Sequence, residues 1–70
     1  MLRVLHDMTR SFHHDGARYT LGDCATVNGL RCVQWEQRRL ISGAYVLTAR
    51  AWLPTRSTRR LIIQTLSEIV

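Results

Sequence analysis

The chain reads as a small α+β domain ordered αβββα, a three-stranded antiparallel meander with its helices on one face. Three observations predict it. Asn28-Gly29 stands between two runs rich in Val, Thr, Cys and Trp, and that dipeptide supplies the two positive-φ positions of a type I′ hairpin turn. Ser42-Gly43 repeats the pattern one strand length later. Beyond Pro54, which stops the third apolar run, Leu61, Ile62, Leu66 and Ile69 recur at helical spacing.

Residues 2–12, LRVLHDMTRSF, place Leu2, Leu5, Met8 and Phe12 three to four apart, a one-sided stripe that predicts the first helix. His13-His14-Asp15-Gly16 closes it, with Gly16 as its C-terminal punctuation; a short strand over residues 2–5 is the alternative. Ala17–Val27 is the first strand, interrupted at Gly22-Asp23, where a bulge is expected. Leu30–Ile41 is the second, and residues 44–53 are the third. The final helix spans residues 55–70, capped by Ser57 or Thr55.

A helical rival competes for the middle of the chain. Leu30, Val33, Gln37, Leu40, Ala44, Leu47 and Ala51 also fit spacings of three and four, so residues 21–27 and 31–40 could form a helix-turn-helix, making the chain all-α. Ala25 and Gly29 suit that motif. Trp35 and Arg38 oppose it, because they occupy positions that want a small aliphatic and an apolar residue.

Seventy residues form a single domain, 1–70, with a formal charge of +5 and a pI near 10.6. A chain this short buries only about 60% of its unfolded surface, so partner binding contributes to its stability. A hydrophobic fraction of 46% with 21% charged residues marks a globular chain. All ten basic residues are arginine; each is a planar donor fork that pairs bidentately with phosphate and stacks on rings. Nucleic acid is therefore the first expected partner and an acidic protein surface the second, with a homodimer left open. No membrane partner is expected: no apolar run approaches the ~18 residues of a membrane span, and no signal-peptide core follows the N-terminus. The expected compartment is the cytoplasm, with Cys24 and Cys32 as reduced thiols.

Two unbroken hairpins generate two sheet faces. One carries Leu21, Ala25, Val27, Leu30, Cys32, Leu40, Tyr45, Leu47, Ala49, Ala51 and Leu53 and is the expected core face. The other carries Arg31, Val33, Trp35, Gln37, Arg39, Ile41, Val46, Thr48, Arg50 and Trp52, with Trp35 opposite Arg50 and Val33 opposite Trp52. Arginines interleaved with tryptophans on an uncovered sheet suit single-stranded nucleic acid: bases stack on indoles while guanidinium forks hold phosphate. The competing reading makes the tryptophans a minor core, or pairs Trp35 with Arg50 for stability alone. Arg56, Arg59 and Arg60 gather at the start of the last helix, where cations oppose the macrodipole and favour an anion instead. The expected binding residues are thus Arg31, Trp35, Arg39, Arg50, Trp52, Arg56, Arg59 and Arg60.

That basic helix start, last in an αβββα order, resembles the phosphate-contacting helix of double-stranded-RNA-binding domains, although their lysine-rich motif is absent. Catalysis is not expected. His6, Asp7, His13, His14 and Asp15 show no metal-ligand spacing, and no cofactor motif occurs. Small toxin RNases resemble the chain in topology, with His13 or His14 as acid or base, but Arg10-Ser11-Phe12-His13-His14 replaces their Gly-Ser-His signature. The expected function is that of a small nucleic-acid-binding regulatory or accessory protein of a bacterium, phage or mobile element. A protein-binding inhibitor of the anti-CRISPR kind is the second reading, and a toxin-like RNase the third.

Overall fold

Three X-Gly dipeptides set the sheet. Asp15 and Gly16 have φ of 51° and 80°, Asn28 and Gly29 51° and 81°, Ser42 and Gly43 52° and 84°. Paired positive φ values are the signature of type I′ turns, whose twist matches that of the strands they join. In the computed structural model, which describes residues 10–69, these turns link β1 (Phe12–His14), β2 (Ala17–Val27), β3 (Leu30–Ile41) and β4 (Ala44–Pro54). Among the described residues the strands form one antiparallel sheet in the order β1-β2-β3-β4, followed by one helix, α1 (Arg59–Ser67).

The sheet replaces the helix-turn-helix rival outright. Among the described residues it has four strands rather than three, because Asp15-Gly16 turns a hairpin instead of ending a helix. The helix expected over residues 2–12 falls mostly on residues 1–9, outside the described ones; its last residue, Phe12, opens β1. At the other end the helix is shorter than expected and is capped by Thr58, whose Oγ1 accepts from the Leu61 amide at 3.2 Å. Ser57 instead turns its hydroxyl back onto the Pro54 carbonyl at 2.7 Å.

Next to the Asn28-Gly29 turn, Val27 pairs with Leu30, Thr26 with Arg31, Ala25 with Cys32 and Cys24 with Val33, the register a two-residue turn at Asn28-Gly29 dictates. The free cysteines Cys24 and Cys32 therefore lie on opposite faces. Gly22 and Asp23 then oppose Gln34 in a bulge, after which Leu21 pairs with Trp35. A second bulge lies in β4. Ile41 to Arg38 pair with Ala44 to Leu47, but Gln37 pairs with Ala49, so Thr48 is an extra residue.

That extra residue inverts the expected face assignment. Past Thr48 the register moves by one, setting Trp35 opposite Ala51 and Val33 opposite Leu53, not opposite Arg50 and Trp52. A one-residue slip exchanges faces because side chains alternate with a period of two. Val33, Trp35 and Gln37 thus join Ala49, Ala51 and Leu53 beneath α1, and Trp35 is 1% exposed. Ala25, Val27, Leu30, Cys32, Leu40, Tyr45 and Leu47, expected in the core, alternate onto the opposite face, where all but Cys32 are exposed.

Ile62 and Leu66 bring α1 down on Trp35, Val33 and Leu53, with Tyr19, Ala17 and Phe12 completing the core. Phe12 stacks on Tyr19 at 4.9 Å between ring centroids and tilts against Trp35 at 5.7 Å. Leu61 and Ile69, expected in the helix's apolar stripe, are exposed instead.

Candidate nucleic-acid interface

Among the described residues nothing packs on the face of the sheet opposite α1. Its middle is polar, since Gln34, Glu36 and Arg38 alternate along β3. Arg18 and Thr20 of β2 flank them on one side, and Leu47, Arg50 and Trp52 of β4 on the other. Arg38 Nη1 donates to Glu36 Oε1 at 2.8 Å and to Thr20 Oγ1 at 3.1 Å, which ties that guanidinium to side chains of β3 and β2. Arg50 lies opposite Glu36 in the register. Arg18 reaches across β3 and places its guanidinium carbon 3.8 Å from the centroid of the Tyr45 ring. Its buried Nε finds no acceptor among the described residues, so the ring contact stands without a hydrogen bond from that nitrogen. Trp52, opposite Gln34, leaves 45% of its surface in solvent.

The face thus brings Arg18, Arg38 and Arg50 together with two exposed aromatic rings. Glu36 is the one carboxylate in β3 and β4. With Asp23 in the β2 bulge opposite Gln34, three guanidinium groups stand against two carboxylates, which leaves the surface cationic, and the Trp52 ring offers a flat apolar face among the charges. Such a surface can hold phosphates and stack bases in the same stroke.

The eight residues expected from sequence do not form one site. Arg50 and Trp52 lie on the open face. Trp35 is withdrawn into the core and has no surface for a ligand. Arg31 and Arg39 alternate onto the helix side. The Arg31 carbonyl there accepts from the Thr55 amide at 3.1 Å and hydroxyl at 3.0 Å, tying the β4–α1 connection to the end of β3. Arg56 belongs to that connection, and Arg59 and Arg60 are the first residues of α1. The Arg59 guanidinium carbon stands 4.9 Å from the Phe12 ring centroid, so its charge leans back on the core's rim. Arg18, Arg38 and Tyr45 complete the face and escaped sequence reasoning. Their signal is the run Gln34–Glu36–Arg38, which marks one side of β3 as polar and hence the Val33–Trp35 side as buried.

Among the described residues no three His, Cys, Asp or Glu side chains gather as a metal site. No described helix is long and apolar enough to cross a membrane. Comparison of the chain with protein-family models, curated proteins and solved structures finds no match.

Proposed function

We propose that the protein is a non-catalytic nucleic-acid-binding accessory or regulatory protein, and that it engages single-stranded segments on the open sheet face. The observation that carries this reading is the exposed Trp52 indole on a face with Arg18, Arg38 and Arg50. Base–aromatic stacking is worth about 1–3 kcal/mol per base and tolerates any sequence, while the arginines supply the phosphate contacts. The absence of lysine strengthens the case for stacking, since guanidinium planes pack on bases as ammonium groups do not.

Fluorescence anisotropy with labelled single- and double-stranded oligonucleotides, over a range of salt, tests it. Single strands should bind more tightly than duplex, with log affinity falling linearly in log salt. Arg50→Ala should reduce that slope by about 0.7, the counterion share of one single-strand phosphate. Trp52→Ala should weaken single-strand binding about tenfold with the slope unchanged, since stacking releases no counterions. If no oligonucleotide binds at modest salt, the reading fails. The exposed Leu40, Ile41, Tyr45, Val46 and Leu47 at the β3–β4 turn would then favour a protein partner.

A further inference from the structure

Within the described residues β4 is an edge strand, paired with β3 on one side only. Such edges are usually blunted with lysine, proline or a bulge. Here the bulge at Thr48 and the proline at position 54 bracket a regular stretch, Ala49 to Leu53, that carries a single charge, Arg50. The Thr55 amide bonds inward to the Arg31 carbonyl at 3.1 Å. By alternation Leu53 and Ala51 also turn their backbone groups toward β3, and Trp52 and Arg50 turn theirs outward. Pro54 falls on the same outward parity, where its missing N–H costs no ladder bond.

We infer that this stretch pairs antiparallel with itself in a second copy of the chain, about a two-fold axis at Ala51. The register follows from the residues. Centring on Ala51 sets Arg50 opposite the partner's Trp52 and Trp52 opposite the partner's Arg50. These are the positions with outward N–H and C=O groups, so each such pair exchanges both hydrogen bonds of an antiparallel ladder. On the open face the pairing joins a guanidinium to an indole twice, a cation–π match. On the helix side it sets Ala49 against the partner's Leu53 and Ala51 against the partner's Ala51, which extends the apolar core across the axis. Centring on Arg50 would oppose like charges, and centring on Trp52 would place Arg50 opposite the partner's Pro54, which has no amide to give. Two four-stranded sheets thereby become one of eight, with both helices on one side and both open faces continuous on the other.

The pairing needs no nucleic acid, so its test is separate from the binding assay. Sedimentation equilibrium of the full chain, under reducing conditions and across the micromolar range, should show a monomer–dimer equilibrium. Trp52→Pro removes an outward amide together with the indole that would meet the partner's Arg50, leaves the bonds from β4 to β3 in place, and should be monomeric at the same concentrations with its sheet circular dichroism retained. In a Cys24→Ser background, Ala51→Cys should form a disulfide-linked dimer under mild oxidation, because the two Cβ atoms face each other across the axis. Val46→Cys, upstream of the bulge, should not. A chain that stays monomeric throughout overturns the inference, and so does a dimer that cross-links through position 46 rather than 51. Should Trp52→Pro fail to fold, the comparison of positions 51 and 46 decides alone.

Discussion

At position 48 a hydroxyl holds together what an aliphatic side chain would leave open. Thr48 Oγ1 donates to Gln37 Oε1 at 2.7 Å and lies 3.1 Å from the Gln37 carbonyl oxygen. The Gln37 amide in turn donates to the Tyr19 hydroxyl at 3.0 Å, so a buried amide at the edge of the core has both its ends satisfied. The bulge that decides the sheet's faces is thus pinned by three side chains from three strands. Thr48→Val keeps the shape and strands the Gln37 oxygen; it should cost about 1–3 kcal/mol, read as an earlier urea midpoint. Tyr19→Phe strands the other end and should cost a similar amount. The two tryptophans should behave as opposites. Trp35→Ala empties the centre of the core at about 3–5 kcal/mol, enough to unfold so small a domain. At concentrations dilute enough for the chain to be monomeric, Trp52→Ala should leave the melting temperature nearly unchanged, and iodide should quench Trp52 but not Trp35.

The turns are where sequence and backbone agree most closely. Ser42 adopts φ of 52°, in the left-handed region where Asn and Asp, with stronger local side-chain hydrogen bonding than Ser, are more at home. Ser42→Asn should therefore raise the melting temperature by a few degrees, at roughly 4–8 °C per kcal/mol for a domain of this size. Gly43→Ala should lower stability by about 1–2 kcal/mol through left-handed strain alone, because nothing lies within 4 Å of an added Cβ there. Gly22 is the converse. Its φ is ordinary, but a Cβ would sit 2.9 Å from Gln34 Oε1; that side-chain end can swing away, so Gly22→Ala should cost less than Gly43→Ala. Chemical denaturation of all three variants checks the order.

These elements also mark the limit of legibility. Asn28-Gly29, Ser42-Gly43, the Gly22-Asp23 bulge and the strands they bound are local signals, and all are present. Asp15-Gly16 carries the same turn chemistry, but a helical stripe upstream draws it into a helix end. The Thr48 bulge has no local signature. It is encoded non-locally: burying Val33 and Trp35 together with Ala49, Ala51 and Leu53 requires one surplus residue in β4. Without it the face assignment inverts, so Arg50 and Trp52 are placed correctly while Trp35 is not, and Arg18, Arg38 and Tyr45 go unnoticed.

Within a chain of charge +5, the described arginines stand on both sides of the sheet, and this separates stability from binding. The first turn of α1 has no acidic residue and its last turn no basic one, so the helix opposes its own dipole. Arg59 recovers part of that cost through the Phe12 ring; among the described residues Arg60 has no such ring contact. Arg60→Glu replaces an unfavourable cation with a favourable anion in the first turn. It should stabilise the fold by about 0.6–2 kcal/mol at low ionic strength, twice the usual single-charge effect. Because the position is exposed, the gain should shrink as salt approaches 1 M, where the Debye length is about 3 Å. Oligonucleotide affinity should fall only modestly and equally for every sequence, since Arg60 lies on the far side of the sheet and acts there only through the long-range field. If Arg60→Glu instead weakens binding more than Arg50→Ala does, the phosphates lie along the helix start and the open-face assignment is wrong.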